Sequence, residues 1–261
     1  MQKPNKLVFA EERKQAIVER IELGALTVSE LTEIFDVSPT TIRNDLRELE
    51  QQGLLVRTHG GAMPRQKTGA ETALEQRQIE NIEAKKLIAQ AALGCVEDGD
   101  TLILDVGTTT YELARLLGKH HRVRVVTNDL QIALLADEYP NLDIFMLEGK
   151  IRSGYHCVIG AAAVRSLSAF TADYAFLGTN GFDIEFGAST PDTEQAEMKR
   201  AIIRSSSKNY LLCDSSKFGR RSFTRFARFE EVDAVITDNI AESDIRSLEE
   251  RGLEVIAAVV L

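Results

Sequence analysis

The chain has 261 residues, 44% of them hydrophobic and 27% charged, with a formal net charge of −9 at pH 7. That is the composition of a soluble globular protein with room for two domains, one near 60 residues and one near 200. No apolar run approaches the roughly 20 residues that cross a bilayer, and the charged start (Lys3, Lys6, Glu11, Glu12) has no signal-peptide core.

Three cysteines, Cys95, Cys157 and Cys213, are odd in number and widely spaced. They suit reduced thiols and a cytoplasmic location, without a disulfide or metal framework. The acidity argues at first against nucleic acid, but it is unevenly distributed. Residues 1–67 carry ten Lys/Arg and ten Asp/Glu, whereas the remainder carries 21 against 30. A neutral N-terminal domain can still bind phosphate where its charges are segregated.

In chain order, a first helix is expected over 9–23, with Ile17, Val18 and Ile21 facing a core and Gly24 ending it. Thr27 and Glu30 form a T-x-x-E capping box, followed by Val28, Leu31, Ile34 and Phe35 on one face. Asp36-Val37 makes a turn. Ser38 is an N-cap with Pro39 at the first helical position. Ile42, Leu46 and Leu49 then share a face, and Gly53 sits where a helix commonly ends. Thr40, Arg43, Asn44 and Arg47 occupy the opposite arc, joined by Ser38 and Thr41 at the helix start. Arginine can bond guanine bidentately, asparagine can do so with adenine, and threonine can touch base or phosphate. A short hairpin carrying Arg57 and His59 follows.

These residues, from Val37-Ser38-Pro39-Thr40-Thr41-Ile42-Arg43-Asn44-Asp45-Leu46 through Arg57 to His59-Gly60-Gly61-Ala62, resemble the winged helix-turn-helix of the DeoR family of bacterial sugar-metabolism repressors. The resemblance implies a DNA-binding domain over residues 1–63.

Residues 64–80 are polar and poorly periodic, and read as an exposed linker that ends in helix. From 81 to 261 helix and strand patterns alternate. Apolar runs lie at 101–106, 123–127, 142–147, 174–177, 210–213, 234–237 and 253–260, with amphipathic stretches at 82–93, 109–117, 129–138, 194–206 and 241–251. Such alternation predicts an α/β domain with a mainly parallel sheet, whose ligands bind at the carboxyl ends of the strands. Asp105-Val106-Gly107-Thr108-Thr109-Thr110 follows the first run at a helix start, where free amides and hydroxyls would cradle a phosphate.

In order, these strand ends also resemble the C-terminal effector domain of the same family, which is similar to ribose-5-phosphate isomerase and senses phosphorylated sugars. The resemblance implies that Gly107, Thr108, Thr109 and Thr110 hold the phosphate, with Asp105 beside them. Lys217 would supply a cation, and Asn128, Arg152, Asp183 and Glu194 would be candidates for the sugar. Where many members have Gly-Gly after the third strand, this chain has Gly149-Lys150. The implied protein is a regulator, most simply a repressor, acting as a homo-oligomer on operator DNA, with no cofactor and no metal. His59, His120, His121 and His156 form no metal constellation.

The competing reading is a sugar-phosphate isomerase with an accessory domain. Such enzymes carry an Asp-Gly-x-Asp motif and a catalytic Glu after a Lys-Gly-Gly run. Here the motif reads Asn180-Gly181-Phe182-Asp183, the run is absent, and Lys199 stands about where the Glu should be. A lysine is normally protonated and cannot act as a carboxylate base. A Rossmann dinucleotide site is weaker still, since no G-x-G-x-x-G follows the first strand.

Overall fold

The computed structural model describes residues 10–22, 26–58, 60–64, 71–118, 122–240 and 242–258. The chain divides into two units, Met1–Lys67 and Thr68–Leu261.

The first unit contains α1 (Ala10–Glu22), β1 (Leu26–Thr27), α2 (Val28–Phe35), α3 (Pro39–Gln51), β2 (Leu55–Thr58) and β3 (Gly61–Pro64). Gly24 lies outside the described residues. The capping box forms: Glu30 N donates to Thr27 Oγ1 at 3.2 Å, and Thr27 N donates to Glu30 Oε2 at 2.7 Å. Asp36, with φ of 49°, turns the chain into α3. Thr41 N donates to Ser38 Oγ at 3.1 Å, completing the N-cap before Pro39. The helix ends in a Schellman motif, with Gly53 N on Glu50 O and Leu54 N on Leu49 O.

Ile17, Ile21, Leu31, Ile42, Leu46, Leu49, Leu55 and Ala62 make the core of this unit. Ile34 departs from expectation, at 40% exposure. Three residues beyond Leu31 it is rotated about 60° from it, at the edge of the buried stripe of a short helix. The three strands run in the order β1-β3-β2. A Cβ at Gly61 would lie 2.0 Å from Leu26 O, so only glycine lets β3 close against β1. Asp45, buried on α3, takes both Nε and NH2 of Arg13 at 2.7 and 3.2 Å, tying α1 to α3.

The second unit runs through α4 (Leu74–Ile79), α5 (Ile82–Leu93), β4 (Thr101–Leu104), α6 (Thr108–Leu117), β5 (Val123–Thr127), α7 (Leu130–Asp137), β6 (Leu142–Met146), β7 (Lys150–Arg152), β8 (Cys157–Ile159) and α8 (Ala161–Leu167). It continues with β9 (Ala172–Gly178), β10 (Gly181–Asp183), β11 (Gly187–Thr190), α9 (Thr193–Arg204), β12 (Ser206–Leu212), β13 (Thr224–Ala227), β14 (Ala234–Thr237), α10 (Glu242–Glu249) and β15 (Glu254–Ala257).

The seven expected apolar runs supply a seven-stranded sheet, ordered β15-β14-β12-β9-β4-β5-β6, with every neighbouring pair parallel. Alternate residues feed opposite faces. Leu102 and Leu104 pack with Ile88 and Leu113, from α5 and α6, whereas Ile103 packs with Ala163 and Ile202, from α8 and α9. The chain starts at β4, winds outward to β6, then returns to β9 and winds the other way. The carboxyl ends of β4 and β9 therefore flank a topological switch point, where parallel sheets open a crevice.

A small antiparallel sheet, β10-β11-β13, and the hairpin β7-β8 were not expected, and neither was α8. The expected linker is also shorter than 64–80, because its later part packs on the second unit. Leu74 is buried there, and the Glu71 carboxylate joins Arg77 and Arg152 at 3.1 and 2.7 Å. Among the described residues no helix is long and apolar enough to cross a membrane.

Candidate functional site

In the first unit α3 presents the side chains suited to DNA. Ile42, Leu46 and Leu49 are buried, while Thr40, Arg43, Asn44 and Arg47 are exposed. Ser38 and Thr41 are drawn into the cap, with their hydroxyls 2.8 Å apart, so their exposed atoms belong to the helix start. Arg57, on β2, pairs with Glu50 at 3.3 Å and offers a partly neutralised charge. His59 lies outside the described residues.

In the second unit the switch point carries a recess. It is lined by Val106 and Gly107 after β4, by Gly178, Thr179 and Asn180 after β9, and by Gln195 and Lys199 from α9, with Leu74, Arg77 and Tyr155 closing it. At its floor Asp105, fully buried, forms an ion pair with Lys199 and accepts from Gly178 N at 3.1 Å. Lys199, 3% exposed, also donates to Gly178 O at 2.9 Å. Asp105 Oδ1 is buried with no hydrogen-bond partner among the described residues.

Gly107 is the N-cap of α6, and no side-chain hydrogen bond caps that helix. Its first-turn amides and the positive end of its dipole are therefore available to an anion. The three threonines are not equivalent. Thr108 is half-buried, Thr109 is nearly buried, and Thr110 is fully buried with its hydroxyl donating to Gly107 O at 2.8 Å. Thr110 holds the turn, leaving Thr108 as the threonine with most freedom to meet a ligand.

Asn128 and Asp129 follow β5. Asn128 Nδ2 donates to Val158 O at 3.1 Å, and its Oδ1 is buried without a partner among the described residues. Asp129 caps α7 and accepts from Gly107 N at 3.3 Å; burial pushes its pKa up to about 6, against the hydrogen bonds that lower it.

Arg152 stacks on the Tyr155 ring at 3.7 Å and joins Glu71 at 2.7 Å and Asp192 at 3.4 Å. Glu194, in the first turn of α9, pairs with Lys150 at 3.3 Å. Lys150 thus has a partner at the point where many family members have glycine. Asp183 stands apart: its Oδ1 accepts from Glu185 N, Phe186 N and Arg221, which makes it a turn cap outside the recess lining. Lys217 sits in a half-buried 3₁₀ turn after β12, with no ion pair among the described residues. Sequence reasoning missed Glu71, Arg77, Tyr155 and Gln195, none of which belongs to a motif with fixed spacing.

Residues 13–68 match the model of the DeoR-like helix-turn-helix domain, and residues 80–239 match that of the DeoR C terminal sensor domain. The chain is 37% identical to the HTH-type transcriptional regulator GlpR of Haloferax volcanii over 95% of its own length and 98% of that protein. It is 36% identical to the glycerol-3-phosphate regulon repressor of Escherichia coli K12, covering 87% of this chain and 90% of that one. Against the putative aga operon transcriptional repressor of Escherichia coli O157:H7 the identity is 34%, over 94% and 93% of the two chains. Among solved structures, ribose 5-phosphate isomerase A of Methanocaldococcus jannaschii matches 53% of this chain and 55% of that one, at 19% identity and a TM-score of 0.41. At that level the likeness does not bear on activity.

Proposed function

The chain belongs to the DeoR family of transcriptional regulators and is a regulator, not an enzyme; from that premise we propose that it represses a carbohydrate-utilisation operon and is released by a phosphorylated sugar or sugar derivative. The observation that carries the effector half is the recess at the switch point, with the uncapped start of α6 on one side and the buried Lys199–Asp105 pair at its floor. An anion is favoured at such a helix start, and its sugar hydroxyls would meet Asn180 and Gln195 of the recess lining. Lys217, on the neighbouring strand end, would add a cation. Two of the relatives reported above carry the name repressor, one of them for a glycerol-3-phosphate regulon.

The DNA half rests on the exposed arc of α3. A homo-oligomer would set two such helices against paired half-sites. Effector binding would shift it toward a geometry that no longer fits them, through its differential affinity for the two states.

The same floor opposes turnover. Lys199 is held by Asp105 and Gly178 O, which leaves no free carboxylate base at that position. Mixing the protein with ribose 5-phosphate or with hexose 6-phosphates is expected to raise its melting temperature saturably for at least one of them, with no isomerised product by chromatography. A panel without any saturable shift would contradict the phosphate site. Steady product formation would contradict binding without turnover.

A further inference from the structure

The recess as it stands encloses only about 10 Å³, the scale of a single water. A sugar phosphate cannot enter unless one wall moves. Three walls are strand ends and α9, fixed by the sheet and by the Lys199–Asp105 pair. The fourth is closed by α4, which contributes Leu74 and Arg77, and by Tyr155 of the β7–β8 turn.

The start of α4 is held by one carboxylate and by the buried Leu74. Glu71, whose side chain is 5% exposed, accepts from Arg77 on Oε1 at 3.1 Å and from Arg152 on Oε2 at 2.7 Å. Arg152 is built to receive an anion. Its guanidinium is stacked on Tyr155, and its second nitrogen, NH1, is buried with no hydrogen-bond partner among the described residues. The other end of α4 is anchored separately. Lys85 donates to Glu80 O at 2.6 Å and to Arg77 O, and Asn81 donates to Asp214 Oδ1 at 3.0 Å.

We propose that Glu71 is a built-in stand-in for the ligand's phosphate: a phosphate entering the recess that Arg77 and Gly107 both line takes Arg77 and Arg152 from Glu71, and the strap 71–79 swings from its Lys85 anchor, opening the way to the start of α6. The inference rests on reading the recess as the effector site, and adds what the phosphate displaces. Planar arginine forks bind carboxylate and phosphate alike, and a phosphate offers three acceptor oxygens where Glu71 offers two. The orphaned Arg152 NH1 gains a partner in the exchange.

Amide hydrogen exchange on the full chain tests this, with millimolar inorganic phosphate as the probe against chloride at matched ionic strength. In the wild type, phosphate is expected to speed exchange of the α4 amides by about tenfold or more, the loss of one charge-assisted hydrogen bond. In Glu71→Gln that exchange is already fast without phosphate, and phosphate adds little. Slow exchange in β4 and β9 of the variant shows that the sheet is intact; should the variant fail to fold, the wild-type comparison alone decides. Protection of α4 by phosphate, or no change at all, would overturn the proposal, as would a folded Glu71→Gln that exchanges like the wild type. The two readings fail separately. Phosphate can loosen α4 while no sugar phosphate releases DNA, which sinks the effector reading alone, and the reverse result sinks the displacement of Glu71 alone.

Discussion

Replacing Lys199 with methionine is expected to destabilise the second unit by about 3–5 kcal/mol, the cost of leaving a buried charge without its partner. Asp105 is 0% exposed, and Lys199 is the cation that meets its carboxylate. Among the described residues the remaining support is a single amide from Gly178, and Oδ1 has no partner. The double variant Asp105→Leu with Lys199→Met is expected to recover much of the loss, because removing both charges removes the desolvation penalty with the pair. All five tyrosines lie in residues 68–261 and the chain has no tryptophan. Tyrosine emission during urea unfolding therefore follows this unit. A single variant as stable as the wild type would mean that the pair does not anchor the floor of the recess.

On DNA the largest effects are expected from α3. Arg43→Ala or Asn44→Ala should each weaken operator binding by about 1–3 kcal/mol while barely changing affinity for random sequence, as base-edge contacts do. Arg57→Ala should act differently. It is assigned to phosphate, so it should weaken both kinds of DNA about equally and flatten the salt dependence. Its pairing with Glu50 makes the loss smaller than for an unshared arginine. Gel-shift titrations at two salt concentrations separate the cases. Unchanged operator affinity in both α3 variants would remove that helix from the recognition surface.

The fold was legible where local chemistry determines it. The capping box at Thr27, the Ser38-Pro39 start and the Gly53 stop are each complete within a few residues, and α2 and α3 follow them. Strands β4, β5 and β14 and the later halves of β9 and β12 are buried on both faces, which makes them short apolar runs, while the edge strands β6 and β15 stay partly exposed. Their order brings Asp105 and Gly178 to the switch point. The strands of the small sheet are three or four residues long and mix polar with apolar side chains, so no periodicity marks them.

Much of the recess could not be read in the same way. Lys199 meets Asp105 across 94 positions, and Arg152 meets Glu71 across 81. No spacing rule joins such pairs; only the winding of the sheet does. Glu71 and Arg77 fell in a stretch whose polarity suggested a linker, because its order comes from two ion pairs and one buried leucine rather than from an apolar face. Conversely, Asp183 carried the expected motif, yet its carboxylate caps a turn and meets Arg221. Motif membership marked the residue type there, while local backbone geometry determined its use.

The most direct test of the account is release of operator DNA from the wild-type protein as a function of sugar phosphate concentration, with the unphosphorylated sugar in parallel. A saturable loss of the complex is expected for at least one phosphorylated sugar and none for its unphosphorylated counterpart, since the anion supplies the differential affinity that shifts the equilibrium. Equal release by both forms would contradict it, as would an operator complex that no phosphorylated sugar disturbs.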